Sequence, residues 1–349
     1  MSAGVGVSVV IPLRWEDDEE LEDMTAYLRF LVGVVREVVV VDGSPGPLFE
    51  GHGRAWRGLG LRHLRPRPDW ACANGKVAGV RTGVAAAVCE RVVVADDDVR
   101  YDRRSLERVA DRLDRAHLVR PQNYFDPLPW HAVWDTGRTL LNRSLGHDYP
   151  GTFGLRRSAL LGIGGYDGNT LFENLELIRT VRAAGGVEAR AADVYVRRRP
   201  PRTARFWSQR RRQAYDDTAQ PARMALFLSL VPLMGAAARR SPLLLAAGAG
   251  AVVLLAEAGR RRAGGTEVFP ARASLAAPLW VLERAVLSWP AFAAWLSGAG
   301  VPYAGSRLTV AAHAPRLLRR RWGGALPLRA PRSGEADLLV GAVAEGADG

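Results

Sequence analysis

Apolar positions follow one another through Val5–Leu13, and a helical rhythm with an acidic start takes over across Glu19–Val35. The first pattern predicts a strand and the second a helix whose leading carboxylates suit the positive end of its dipole. The exchange then repeats. Glu37–Val41 is a β-branched run closed by an Asp-Gly turn, GLRHLRP reads as a short strand, and Ala73–Val88 carries small and apolar residues at helical spacing. Val92–Ala95 predicts a strand and Arg104–Arg115 a helix. Strands alternating with helices of this length predict an α/β fold with a parallel, doubly wound sheet. Ligands bind such sheets where loops leave the carboxyl ends of strands, the position of Asp42 and of Asp96–Asp98.

From Pro121 to Gly168 the periodicity weakens into segments rich in aromatics, Pro and Gly, which predict substrate-facing loops. Leu171–Ala184 is helical again. Beyond Pro200–Pro201 the composition shifts. Arg205–Tyr215 mixes arginines with aromatics and suits a headgroup surface. Met224–Ala238 and Ser241–Ala256 are uncharged runs of 15 and 16 residues separated by two arginines. A span needs roughly 20 residues, so a tight hairpin, a re-entrant pair and a deep interfacial element all stay open. Ser274–Leu296 is apolar apart from Glu283 and Arg284 at its middle, which favours an amphipathic helix in the interface over a span. The chain accordingly divides into a catalytic domain over 1–200, a basic interfacial helix over 201–220, an apolar hairpin over 221–258, an amphipathic or membrane helix over 270–300, and a basic segment with a flexible tail over 301–349.

Charge sharpens this picture. The net charge is +12 and almost all of the excess is arginine, Lys76 being the only lysine. Most arginine clusters flank apolar runs, a placement that favours a membrane surface over nucleic acid. The two cysteines have no metal-ligand spacing and the six histidines are scattered, so neither a zinc site nor a disulfide framework is expected. A cytosolic face fits that usage.

Chemistry concentrates at strand ends. In ADDDVRYD, alternate carboxylates leaving a strand share a face, so Asp96 and Asp98 point together and Asp97 opposite. Two hard oxygen ligands at that spacing suit Mg2+ or Mn2+ held jointly with a diphosphate, whereas a solvated turn would leave them without a task. Asp102 is placed to cap the helix that follows. Asp42 could accept hydrogen bonds from a ribose or base, or merely close a turn. Lys76 stands near a helix start, where an ammonium can neutralise phosphate oxygens. Leu171, Leu175 and Ile178 mark a buried stripe, leaving Glu173 and Glu176 off it as acid–base candidates. The bland alternative is a capping box, Thr170 to Glu173. Gln209 and Arg212 lie one turn apart on the basic helix and could hold donor phosphates or a sugar.

Taken in order, these pieces resemble the family 2 glycosyltransferases of GT-A fold: VVIP at 9–12, VVVDGS at 39–44, NGKVAGVRTG at 74–83, DDD at 96–98, GGYD at 164–167, EN at 173–174, and Gln209 to Arg212. The resemblance implies a nucleotide-diphosphate sugar bound over the sheet, with Pro12, Asp42, Lys76, Asp96, Gln209 and Arg212 at the donor. Asp98, helped by Asp96, would ligate the cation, and a base in the E-N segment would activate an acceptor hydroxyl for displacement with inversion. Two positions depart from the family pattern. Asn174 replaces the aspartate of an E-D pair and passes the base role to Glu173 or Glu176. Gln213 replaces a tryptophan and removes a sugar platform. The expectation is a glycosyltransferase at the cell membrane, its catalytic domain on the cytoplasmic side, acting on a lipid or glycan acceptor. Asn174 motivates the alternative, a membrane protein that binds nucleotide-sugar without transferring it.

Overall fold

The computed structural model describes residues 4–146 and 148–326, so the expected flexible tail lies outside the described residues apart from its first part. The elements run β1 (Val5–Leu13), α1 (Leu21–Val32), β2 (Val35–Asp42), α2 (Gly46–Ala55), β3 (Arg62–Leu64), α3 (Gly75–Ala86), β4 (Arg91–Ala95), β5 (Val99–Arg100) and α4 (Arg103–Leu113). They continue with β6 (Leu118–Phe125), α5 (Trp130–Ser144), β7 (Thr152–Arg156), α6 (Arg157–Gly162), α7 (Glu173–Ala183), β8 (Glu188–Arg198) and α8 (Thr203–Tyr215). Last come α9 (Pro221–Arg240), α10 (Pro242–Arg261), α11 (Ala271–Leu296), β9 (Val301–Tyr303), β10 (Ser306–Leu308) and α12 (Pro315–Trp322).

The fold is mixed α/β. Eight strands form one sheet in the order β3-β2-β1-β4-β7-β6-β8-β5. The expected parallel sheet is interrupted: β3, β2, β1 and β4 are parallel and so are β6 and β8, but β7 enters antiparallel between β4 and β6, and β5 pairs antiparallel with β8. The loops expected over Pro121–Gly168 are in fact β6, α5, β7 and α6. Their strands escape a periodicity search because LVRPQNYF carries a proline and TFGLR a glycine. Gly154 is needed where it stands, since a Cβ there would lie 3.2 Å from Val119 and closer still to Val109.

Both faces of β1 are buried. Val7, Val9 and Ile11 pack with α1 and α4, while Val10 packs with Val80 and Val84 of α3 on the other face. Small residues let α3 sit close: a Cβ at Gly79 would come 2.9 Å from Pro12. Asn74 caps α3 by accepting from the Lys76 amide, and Asp102 caps α4 in a capping box with Ser105, as expected.

The helices after Pro200 form a layer on α5. Leu140 and Leu141 of α5 meet Phe227, Ala256, Ala273, Ala277 and Trp280 from α9, α10 and α11. The α5–α11 crossing is tight, a Cβ on Gly137 falling 2.8 Å from the Ala277 backbone. Pro221–Arg240 and Pro242–Glu267 are long and apolar enough to cross a membrane by length and composition. The charged middle of α11 faces inward. Arg284 pairs with Asp217 at 3.3 Å, and Glu283 takes both prongs of Arg210 at 2.7 Å. Arg210 also reaches Asp135 of α5 at 3.0 Å, so one guanidinium joins α5, α8 and α11.

Candidate active site

A cleft of about 850 Å³ opens over the carboxyl ends of β1, β2 and β4 and is closed on its far side by α8 and the β9–β10 hairpin. Pro12, Lys76, Asp96, Asp98, Glu173, Gln209 and Arg212, all singled out in the sequence, line it.

The acidic triplet is the turn between β4 and β5. Because β5 pairs with the end of β8, Val99 against Arg198, the Arg198 side chain is delivered to the carboxylates. Its Nε donates to Asp98 Oδ2 at 3.0 Å and its Nη2 to Asp96 Oδ2 at 3.3 Å. Asp97 points the other way and accepts from Trp15 Nε1 at 2.6 Å. Asp96 and Asp98 thus share Arg198 as expected, but through a turn and not a strand, and Asp97 lines the same cleft. Burial pushes the Asp98 carboxyl up to about 6, Arg198 opposing and the Asp96 and Asp97 charges reinforcing. Two features fit a hard divalent cation. Asp98 Oδ1 is buried with no hydrogen-bond partner, and a Cβ on the facing Gly151 would collide with Asp96 Oδ2. An all-oxygen donor set of this kind suits Mg2+ or Mn2+.

Lys76 Nζ lies 2.6 Å from Asp96 Oδ1 and 2.7 Å from Glu173 Oε1. Burial disfavours its charge, but the two carboxylates outweigh that and hold the ammonium protonated far above neutrality. Asn174 turns aside to donate to the Pro150 carbonyl at 3.1 Å. Gln213 lines the cleft and accepts from Arg210 at 3.0 Å.

Two expected site residues are corrected. Asp42 is fully buried and does not line the cleft: Oδ1 accepts the Ser44 amide at 2.8 Å, and Oδ2 faces His52 at 2.6 Å and His63 at 3.0 Å. Burial raises its carboxyl, but the bonds from His63, Ser44 and His52 outweigh it and hold the group well below the carboxylate range. With both oxygens engaged, no acceptor faces a nucleoside. Glu176 is likewise fully buried, accepting the His313 amide at 2.7 Å and facing its ring at 3.0 Å. One helical step past Glu173 turned it into the core. The capping box also fails: Phe172 is the N-cap of α7 without a side-chain bond, and the Thr170 hydroxyl donates to the Asp167 carbonyl.

Several cleft residues escaped sequence reasoning. Asp216 follows α8, and its Oδ1 is buried with no hydrogen-bond partner. Burial lifts this carboxyl to about 8, Arg212 opposing and Asp217 and Glu173 reinforcing. Asp217 is neutralised by Arg223 at 2.9 Å and Arg284 at 3.3 Å. Tyr303 donates to Asn74 Oδ1 at 3.1 Å and has the Arg212 guanidinium over its ring at 5.2 Å. The Asp-Asp pair one turn past Arg212 was a visible signal. For Arg198 there was only an arginine run, and for Tyr303 nothing.

Asp216 gives a pH test. Its raised carboxyl means the folded chain binds a proton that the unfolded chain releases near pH 4, so stability falls as pH rises from 4 towards 8. Asp216→Asn is expected to melt as the wild type does near pH 4 and to be on the order of 2 kcal/mol more stable at pH 8. Thermal melts across that range check it; a constant difference at every pH would contradict the assignment.

No family model matches the sequence, and no curated protein does. Solved structures with related chain courses include a mannosyltransferase from Pyrobaculum calidifontis in complex with GDP-mannose and Mn2+, at 16% identity over 82% of this chain and 88% of that one, with a TM-score of 0.48. Glucosyl-3-phosphoglycerate synthase from Mycobacterium tuberculosis, in complex with Mn2+, UDP and glucosyl-3-phosphoglycerate, aligns at 18% identity over 60% of this chain and 78% of its own, with a TM-score of 0.38. Mannosyl-3-phosphoglycerate synthase from Rubrobacter xylanophilus aligns at 15% identity over 58% and 70%, with a TM-score of 0.40.

Proposed function

We propose that this chain is a metal-assisted glycosyltransferase of GT-A type, moving a sugar from a nucleotide-diphosphate donor to a hydroxyl of a lipid or lipid-linked acceptor. The observation that carries the reading is the pair Asp96 and Asp98 at a strand end, facing Lys76 and Arg198 in one cleft. These two carboxylates would hold Mg2+ or Mn2+, which when bound would supply positive charge to a leaving diphosphate. Lys76 and Arg212 add fixed positive charge on the same side, placed before the reaction starts. Asp216 takes the proton from the acceptor hydroxyl. Its Oδ1 is buried without a partner and its carboxyl is raised to about 8, within reach of neutrality, whereas Glu173 is engaged by Lys76 at 2.7 Å and orients. With a separate carboxyl to serve as base, the reaction we propose is direct displacement with inversion.

The acceptor class rests on α11. Leu275, Leu279, Leu282, Val286 and Trp289 recur at three- and four-residue steps, Leu296 follows two turns on, and all are exposed, while Glu283 and Arg284 point inward. Trp130 of α5 and Trp207 of α8, half exposed with ring centroids 6.1 Å apart, add exposed aromatic surface on neighbouring helices. Apolar helix faces with aromatic edges suit a bilayer interface. The arginine-flanked α9–α10 hairpin anchors the chain there, with the cleft on the cytoplasmic side.

The test is a panel of GDP-, UDP- and other nucleotide-sugars screened for thermal stabilisation with and without Mn2+, followed by transfer assays on lipid and soluble acceptors. Stabilisation that requires sugar nucleotide and metal together is expected. Stabilisation indifferent to metal refutes the donor site, and transfer to soluble acceptors alone refutes the lipid class.

A further inference from the structure

Behind the cleft, β2, α2 and β3 bring together three side chains that lie far apart in sequence. β3 pairs with β2 so that His63 stands beside Val40, and α2 folds His52 back over the end of β2. Asp42 Oδ2, His52 Nδ1 and His63 Nε2 converge, the ligand atoms of the triad all lying within 4.8 Å of one another. His52 and Asp42 are fully buried and the His63 side chain is 12% exposed.

The hydrogen bonding is unusual for a neutral imidazole. The two nitrogens of His52 face two carboxylates, Asp42 Oδ2 at 2.6 Å and Asp18 Oδ1 at 3.0 Å. Ionised carboxylates only accept, so a neutral ring can satisfy one of them and not the other. His63 presents a third group to the same Asp42 oxygen at 3.0 Å. The cluster therefore calls for a positive charge between Asp42 and the two rings. A proton on His52 is one source. A metal ion displacing the ring protons at His52 Nδ1 and His63 Nε2 is the other, and it leaves His52 Nε2–H to donate to Asp18. A metal-bound histidine whose second nitrogen donates to a carboxylate is the usual outer-shell arrangement of zinc sites.

The walls suit a fixed ion. Trp56 stacks on His52 with ring centroids 5.1 Å apart, Trp15 meets it edge-on at 5.2 Å, and Phe49 stacks on His63 at 4.2 Å. Such a shell limits solvent exchange and fixes ring orientation.

We propose that Asp42, His52 and His63 form a binding site for a borderline divalent cation of the zinc class, with Asp18 as the outer partner of His52. Two imidazoles and one carboxylate favour zinc over Mg2+ or Mn2+, which prefer all-oxygen sets. Three protein ligands leave a fourth position for water. The ion is structural: it staples α2 and β3 to the end of β2, whose next residue, Gly43, lines the cleft. It is separate from the Asp96–Asp98 pair, and the proposal does not depend on the transfer reaction.

The test is metal analysis of full-length protein purified without a polyhistidine tag, by elemental mass spectrometry after gel filtration, together with visible spectra after Co2+ replaces the native ion. About one equivalent of zinc per chain is expected, with d–d absorption from Co2+, and Asp98→Asn should leave both intact. His63→Gln, at the most exposed ligand, should lose the zinc and melt at a lower temperature that added Zn2+ no longer raises. Wild-type protein that carries no zinc and shows no Co2+ absorption overturns the site. So does a folded His63→Gln chain that keeps its zinc. Should His63→Gln fail to fold, the wild-type Co2+ spectrum alone decides: four-coordinate N/O bands support the site, and their absence refutes it.

Discussion

Asp98→Asn is expected to abolish the stabilisation that nucleotide-sugar and Mn2+ confer together, and to lower transfer by roughly a hundred- to a thousand-fold. The reason is the free Oδ1 of Asp98, which is buried and has no protein donor to satisfy it. An amide there offers a neutral oxygen and a nitrogen that cannot ligate a hard cation. A donor at roughly a hundred times its dissociation constant stabilises its site by about 2.7 kcal/mol, and this is the increment that should vanish. Asp97→Asn is the matched comparison. Asp97 accepts one bond from Trp15 instead of pairing with Arg198, and an asparagine oxygen can still accept it. It should retain the metal-dependent shift. Equal loss in both variants would mean that the triplet acts only through its summed charge, and the ligand assignment would fail. Differential scanning fluorimetry with donor, with metal and with both reads the outcome.

The second large effect concerns stability. Arg210→Met is expected to destabilise the chain by about 3–5 kcal/mol. Arg210 is 2% exposed and answers Glu283 with two bonds and Asp135 with one. Burial alone would disfavour the guanidinium, yet Asp135 and Glu283 outweigh it and hold it charged. Removing it strands Glu283 in a nearly dry interface, whereas Arg138 still reaches Asp135 at 3.3 Å. The double variant Arg210→Met, Glu283→Leu should recover much of the loss, because an apolar pair replaces the buried ions without leaving a charge behind. A double variant no more stable than Arg210→Met would show that packing, and not the uncompensated carboxylate, sets the cost. Melting temperatures of the three chains in one detergent or vesicle preparation check the cycle.

Much of the sheet's first half was legible because its strands are dense β-branched runs set between amphipathic helices: Val5–Leu13, Glu37–Val41 and Val92–Ala95 all appear close to their expected bounds. The second half was hidden. Pro121 and Gly154 break the residue pattern, and β7 is recognisable only by what it pairs with. Among site residues the same divide holds. Asp96, Asp98 and Lys76 could be placed because strand ends and helix starts are local geometry. Glu173 and Glu176 could not be separated, since which face of α7 meets His313 is decided 137 residues away. Asp42 was legible as a strand-end carboxylate but not as the partner of two histidines, because their approach needs α2 and β3 to fold back. Asp216 was overlooked because its environment, not its neighbours in the chain, lifts its carboxyl.

The far wall of the cleft bears on biogenesis. Tyr303 reaches back across 229 positions to Asn74, and Arg284 and Pro302 face the same space from beyond the apolar hairpin. A ribosome therefore releases all eight strands of the main sheet and the acidic turn long before the residues that shut the chamber have emerged. The nascent polypeptide should stay inert towards sugar nucleotide until α11 has seated. On the proposed reading, transfer would then begin only in copies whose α9–α10 hairpin has already met a bilayer.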